Sequence, residues 1–132
     1  MRFLLDTNVV SDLVRDPGGR VAGHVARVGE RQVCTSVVVA AELRYGAAKK
    51  GSWRLAARVE GIVRLLDVLP FEPPADTAYG ELRAGLERQG RLIGPYDLLI
   101  AAQALTLGYT LVTDNEREFS RVDGLLYENW LR

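Results

Sequence analysis

The sequence predicts an α/β fold with a mostly parallel sheet of four to five short strands and helices on both faces. Three observations lead there. Short apolar runs alternate with longer segments whose apolar residues recur at helical spacing. Each run ends in a polar or turn-forming residue before the next helix begins, and 132 residues with 48% hydrophobic composition supply one sizeable core. Alternation of this kind builds crossover units whose strands run parallel and whose helices cover both sides. No internal repeat, low-complexity segment or linker divides the chain, so residues 1–132 read as a single domain.

The first strand is Arg2 to Leu5, ending at Asp6-Thr7-Asn8, and Val9, Val10, Leu13 and Val14 then mark one helix face. Asp16-Pro17-Gly18-Gly19 breaks the chain. Val21, Val25 and Val28 form a second helix that stops at Gly29, and Gln32 to Thr35 is the second strand. Ser36 can cap a helix from about Val37 to Lys50, whose closing lysines complement the negative end of its dipole. After Gly51-Ser52, the positions Leu55, Val59, Ile62, Val63 and Leu66 define a fourth helix leading into a strand at Asp67 to Leu69. Pro70, Pro73 and Pro74 then interrupt regular structure. Ala75 to Gln89 is helical by the spacing of Ala78, Leu82 and Leu86, and ends at Gly90. Gly94-Pro95 opens a helix through Leu107, since proline suits a first helical turn, and Gly108 closes it. Tyr109 to Thr113 is an apolar strand ending at Asp114-Asn115, and Leu125 to Tyr127 is a last, short edge strand.

Seventeen basic and seventeen acidic residues cancel, which disfavours a protein that holds polyanions by bulk charge. Any nucleic acid must be held by local chemistry. The longest uncharged stretch, Leu98 to Thr113, has sixteen residues, short of the ~20 a membrane span needs. The start, MRFLLDTN, reaches an acid at position six before a signal-peptide apolar region could form, so the expected location is the cytoplasm. Cys34 is the only cysteine, which leaves no intrachain disulfide and suits a reducing compartment. His24, the only histidine, is expected on the surface or in packing.

In open parallel sheets the functional crevice lies beyond the carboxyl ends of the strands. Asp6 follows the first strand directly and Asp114 follows the strand Tyr109 to Thr113, so both belong to that edge. Asp97, in the first turn of the helix after Gly94-Pro95, faces the same edge if the crossover is right-handed. Glu42 lies two turns into a helix that reads as buried nearly all round, and its helical neighbours Val38, Val39, Tyr45 and Gly46 include no cation. A buried carboxylate without a partner is costly or takes up a proton, so a partner for Glu42 must come from elsewhere in the fold.

Each acid also has an ordinary structural reading. Asp6 suits a helix N-cap, Asp97 a dipole-favoured first turn, Asp114 a turn near Arg117, and Glu42 a surface position or a distant arginine. Together they mean more. Carboxylates gathered within a few ångströms raise one another's pKa unless a cation neutralises them. Oxygen-only ligation, with no histidine or cysteine pair at metal spacing, points to Mg²⁺ or Mn²⁺ rather than zinc. Such an ion acidifies a bound water and clamps phosphate oxygens, so the expected substrate is a phosphodiester or phosphate ester.

The stretches LLDTNVVSDL, SVVVAAELRYGAAK, IGPYDLLIAAQAL and LVTDNEREFSRVDGLLYENW, in this order across essentially the whole chain, resemble the PIN domain. More narrowly, they are similar to the VapC toxins of bacterial toxin-antitoxin modules. The resemblance implies a three-layer PIN fold and a Mg²⁺-dependent ribonuclease with Asp6 and Asp97 as metal ligands and Glu42 and Asp114 completing the acidic pocket. It implies a homodimer that assembles further with a cognate VapB antitoxin, whose C-terminal tail enters or covers the site. The closing block resembles VapC relatives that cut transfer RNA in the anticodon loop, some of which carry Asn where this chain has Asp114. Thr7, Asn8, Ser36 and Asn115 can then hydrogen-bond the carboxylates or the metal's waters. Tyr96 can stack on a nucleobase, and Arg91 and Arg117 can hold flanking phosphates, a local device that a neutral chain requires. An antitoxin segment that inserts a basic side chain among the acids would neutralise them as the metal does, so a basic inhibitory segment is expected. The apolar helices between Val37 and Leu66 are expected to supply a dimer face and an antitoxin groove.

Other classes fit less well. A phosphorelay receiver needs a lysine after a late strand, and none follows Lys50. A haloacid-dehalogenase-like phosphatase needs an Asp two residues after its nucleophile, where this chain has Asn8. The alternative to the nuclease is a PIN domain that binds RNA or protein without cutting, and Mg²⁺ or Mn²⁺ binding separates the two.

Overall fold

The computed structural model describes residues 2–132. The strands are β1 (Phe3–Leu5), β2 (Val33–Ser36), β3 (Asp67–Leu69), β4 (Thr110–Val112) and β5 (Tyr127–Glu128). The helices are α1 (Thr7–Arg15), α2 (Arg20–Val28), α3 (Val37–Lys50), α4 (Trp53–Leu65), α5 (Ala75–Arg88), α6 (Pro95–Leu107) and the single turn α7 (Glu116–Phe119). The strands pair in the order β3-β2-β1-β4-β5, and every described pairing is parallel. Leu4 is opposite Cys34 on one side and Leu111 on the other. The chain therefore builds outward from β1 in one direction through β2 and β3 and in the other through β4 and β5. The carboxyl ends of β1 and β4 form the switch point.

The sheet's centre is closed to water, with Leu4, Leu5, Leu111 and Val112 fully buried. Helix α6 lies against it and buries Leu98, Ile100, Ala101, Ala102 and Ala104, which accounts for the long uncharged stretch. Its one buried polar side chain, Gln103, donates to the Pro70 carbonyl at 3.0 Å. Local chemistry sets the helix ends. Ser36 and Ser52 cap α3 and α4 by accepting from the Val38 and Leu55 amides, and Gly51 and Gly108 end α3 and α6 in the left-handed region.

Two expectations change. Helix α3 is not buried nearly all round: Val39, Ala40 and Ala47 are buried, whereas Val37 and Tyr45 are exposed. An apolar composition without a clear polar face cannot distinguish a core helix from one that keeps a second apolar side outward. Helix α4 begins at Trp53, directly after Gly51-Ser52 as expected, with the Ser52 side chain as its cap. The stretch after Asn115 contains α7, and the last strand is Tyr127–Glu128 rather than Leu125 to Tyr127. His24 packs as expected, stacked 5.1 Å from the Trp130 ring. Burial, then the neighbouring Arg27 charge, holds its imidazole toward the neutral form. Among the described residues no helix is long and apolar enough to cross a membrane.

Candidate active site

At the switch point an open cleft of about 520 Å³ brings together Asp6 at the β1–α1 junction, Glu42 on α3, Asp97 on α6, and Asp114 and Asn115 after β4. Asp6 is positioned from both sides. Its backbone N–H donates to the Val112 carbonyl at 2.9 Å, tying the end of β1 to β4. One carboxylate oxygen accepts the Thr7 N–H and the other accepts the Thr113 hydroxyl, each at 2.7 Å. The Thr113 oxygen in turn accepts the Asn115 N–H at 2.9 Å. The Thr7 hydroxyl donates to Glu42 Oε1 at 2.7 Å, so the partner that Glu42 needs is a hydroxyl from α1. The Asn115 carboxamide donates from one nitrogen to Asp97 Oδ2 at 3.1 Å and to Glu118 Oε2 at 3.2 Å.

These acids crowd one another. Asp97 is pushed up to about 8, first by burial, then by its hydrogen bond with Glu118, then by the charges of Asp6, Glu118 and Glu42. Glu118 moves the opposite way, held down by the Asp97 hydrogen bond and by donors from Asn115 and the Gly94 backbone. Of the two, Asp97 keeps the proton. Asp6 is also raised, chiefly by burial and slightly by Glu42, against the opposing hydrogen bonds from Thr113 and Thr7. Among the described residues, no basic side chain forms an ion pair with Asp6, Glu42, Asp97 or Glu118.

Residues 3–125 match the PIN domain family. The chain is 40% identical over 131 residues, 98% of each protein, to the tRNA(fMet)-specific endonuclease VapC of Shigella flexneri. This is a VapC-family PIN domain. A second tRNA(fMet)-specific endonuclease VapC, from Salmonella typhimurium, is 35% identical over 98% of each chain. The fold is similar to that of the Rickettsia felis VapBC2 structure bound to a promoter DNA fragment, with a TM-score of 0.91 and 32% identity over 98% of this chain and 99% of that one. As a VapC-family member, the protein is a ribonuclease toxin of a VapBC toxin-antitoxin module.

Within this VapC-family site, Asp6, Glu42, Asp97 and Asp114 all reach the cleft, as do Thr7, Asn8 and Asn115. Their surroundings differ. The Asp114 carboxylate accepts from the Asn129 side chain at 3.0 Å and stands 3.7 Å from the Arg132 guanidinium, so it is tied to the C-terminal segment. Ser36 is fully buried and caps α3. Tyr96 is exposed beside Asp97, and Arg91 and Arg117 are exposed outside the residues that line the cleft. Sequence reasoning missed Thr113 and Glu118. Thr113 read as the last residue of a strand, although the residue ending a strand at a switch point is the one that reaches the crevice. Glu118 lies three positions after Asn115, a spacing that returns it to the same side once α7 is known to be a helix.

Among the described residues, no group of three or more acidic, histidine or cysteine side chains is arranged to hold a metal ion. The donor chemistry still fits a hard divalent cation. The donors are oxygens, Asp97 needs nearby positive charge to ionise at neutral pH, and Asn8 on the cleft wall has a buried side-chain oxygen with no partner.

Proposed function

We propose that this toxin is a Mg²⁺- or Mn²⁺-dependent endoribonuclease that hydrolyses a phosphodiester bond in tRNA and is silenced by a cognate VapB-type antitoxin. The observation that carries this reading is Asp97, set among Asp6, Glu42 and Glu118 with no positive partner. A bound divalent ion supplies an acidified water and a clamp on phosphate oxygens. Asp6, Glu42 and Asp97 would hold it, with Glu118 and Asn115 orienting Asp97 from behind. The Thr7 and Thr113 hydroxyls keep the carboxylates of Glu42 and Asp6 turned to fixed positions. Asp114 is the cleft's outer acid, and the unpartnered Asn8 oxygen is an acceptor for a water or a ribose hydroxyl.

The tRNA assignment is supported by the two relatives named as tRNA(fMet)-specific endonucleases, which makes that tRNA the first substrate to test. Tyr96, 56% exposed next to Asp97, offers a ring for a base, and the exposed Arg91 and Arg117 offer charge for flanking phosphates. For the antitoxin, an apolar groove of about 320 Å³ runs between α1, α2 and α4, lined by Leu13, Val25, Ile62, Leu65 and Leu66. Leu65 is 83% exposed there, and an apolar helix would cover it. The outward Val37 and Tyr45 of α3 provide a face for a second copy in a homodimer. Solved VapBC structures, such as the DNA-bound complex from Salmonella typhimurium with a TM-score of 0.90, support an assembly of toxin with antitoxin.

The test is cleavage of tRNA(fMet) by the purified protein with Mg²⁺, with EDTA, and with added VapB-type partner. Cutting only with Mg²⁺, lost on adding the partner, is the expected result. Cutting that persists in EDTA would refute the metal dependence. The second reading is a module that binds RNA or protein without cutting. Calorimetry that finds no Mg²⁺ or Mn²⁺ binding would favour it.

A further inference from the structure

Two carboxamides sort the acids around the loop after β4 into pairs. The Asn115 amide bridges Asp97 and Glu118, at 3.1 and 3.2 Å. The Asn129 amide bridges Asp114 Oδ1 and Glu116 Oε2, both at 3.0 Å. Glu116 and Glu118 sit on the same single turn, α7, so the two amides grip it through different residues. Asn129 is itself well fixed. Its side-chain oxygen accepts the Leu131 N–H at 2.9 Å, and the carbonyl before it, on Glu128, accepts the Thr113 N–H at 2.9 Å. Trp130, 2% exposed, packs against Phe3 and His24 and donates its indole N–H to Glu128. The segment from Tyr127 onward is thus a strut that runs from the core to the cleft's rim, where Arg132 also approaches Asp114.

We infer that Asn129 is a positioning residue for the active site: by bridging Asp114 and Glu116 it fixes the loop from Thr113 to Glu118, and with it the Asn115 clamp on Asp97 and Glu118. The reason is electrostatic as well as geometric. Asp114 and Glu116 flank Asn115 in sequence, and the exposed Arg132 guanidinium, 3.7 Å from Asp114, offsets their like charges only in part, so losing the shared donor would loosen the loop at the residue that carries the clamp. The effect on metal binding rests on the nuclease reading; the effect on the Asn115 clamp does not.

The experiment uses the full chain, ¹⁵N-labelled, as wild type, Asn129→Ala, Asn129→Asp and the exchange Asp114→Asn/Asn129→Asp. In EDTA, the side-chain amide resonances of Asn115 are expected to shift in Asn129→Ala and further in Asn129→Asp, which sets a third carboxylate against Asp114 and Glu116. The exchange variant re-forms the amide–carboxylate bond between positions 114 and 129 with donor and acceptor reversed but leaves Glu116 without its donor, and is expected to return the resonances part of the way toward wild type. Calorimetry is expected to show Mn²⁺ affinity falling about tenfold in Asn129→Asp, the low end for a group that orients a ligand, with partial recovery in the exchange. Asn115 resonances unchanged in both single variants, with only the melting temperature lowered, would overturn the proposal and leave Asn129 a structural anchor. Wild-type protein that binds no Mn²⁺ would instead refute the nuclease reading, and the Asn115 resonances in EDTA would still decide this one. Asn129→Ala removes no buried group, so it keeps the test available if Asn129→Asp does not fold.

Discussion

The two ends of the sheet treat charge in opposite ways. At the amino end, Arg2 donates to Asp67 at 2.8 Å and lies 5.5 Å over the Tyr109 ring, so a cation and an anion from distant parts of the chain satisfy each other. At the carboxyl end, Asp6, Glu42, Asp97 and Glu118 come from four different places in the chain and hydrogen-bond only to hydroxyls, amides and one another, with Arg121 acting on Glu118 through its charge but forming no ion pair. The first arrangement holds its own counter-charge, although the buried Arg2 Nε has no hydrogen-bond partner. The second is complete only with a positive partner, and that deficit is what makes one end of a uniform parallel sheet a binding end.

The strongest way to break this comparison is to separate function from stability. Asp97→Asn keeps the shape of the side chain and removes a member of the crowded set. RNA cleavage is expected to fall at least about a hundredfold, the scale on which loss of a reacting group acts, while the metal-free melting temperature does not drop. Retained cleavage would mean that the carboxyl end is only a polar surface. Thr113→Val is expected to cost stability as well as cleavage, because the same hydroxyl holds Asp6 in place. It removes the hydroxyl that Asp6 accepts at a site with 4% exposure, and urea unfolding should show a loss of about 1–3 kcal/mol. A loss within experimental scatter would show that Asp6 is sufficiently held by Thr7 alone.

The contrast between the ends was unevenly legible in the sequence. Strand–helix alternation gave the parallel sheet, and the acids Asp6, Glu42, Asp97 and Asp114 do all reach one cleft because each follows, or lies on a helix packed beside, the carboxyl end of a strand. Glu118 was hidden because α7 is a single turn, too short for a periodic pattern to register. Thr113 was hidden because its strand is apolar and its hydroxyl acts across the sheet on a residue 107 positions away. The pairing of Asp114 with Asn129 was likewise invisible, since hydrogen bonds between residues 15 apart in a loop leave no spacing rule to read. The burial of α3 was overestimated for the opposite reason: its apolar residues are visible in the sequence, but the side they face is not.

Acidity sharpens the comparison further. An aspartate raised to about 8 in the folded protein binds its proton more tightly there than in the unfolded chain, where its ordinary value is about 4. Its stabilising contribution is therefore full at low pH and is lost as pH rises through the folded value. Glu118 is shifted down and contributes with the opposite sign, but only below about pH 4.5, where the unfolded carboxyl begins to protonate. Between about pH 5 and 8, metal-free wild type should thus lose stability relative to Asp97→Asn as the pH rises. A difference between the two proteins that stays flat across that window would show that Asp97 is not forced to hold a proton.

The smallest effect is expected at the amino end, and its smallness is informative. Arg2→Gln breaks the pair with Asp67, whose side chain is 56% exposed, so solvent already screens most of the attraction. Exposed pairs of this kind contribute up to about 1 kcal/mol, and physiological salt reduces that further. The loss should be measurable by denaturant unfolding at low ionic strength and should shrink as salt is added. Cleavage should stay within about twofold of wild type, because the charge removed already had its own counter-charge and nothing at the other end depends on it. If Arg2→Gln instead weakened cleavage as severely as Asp97→Asn, the two ends would be electrostatically coupled through the short central strands. The balanced end could then no longer be treated as a scaffold independent of the unbalanced one.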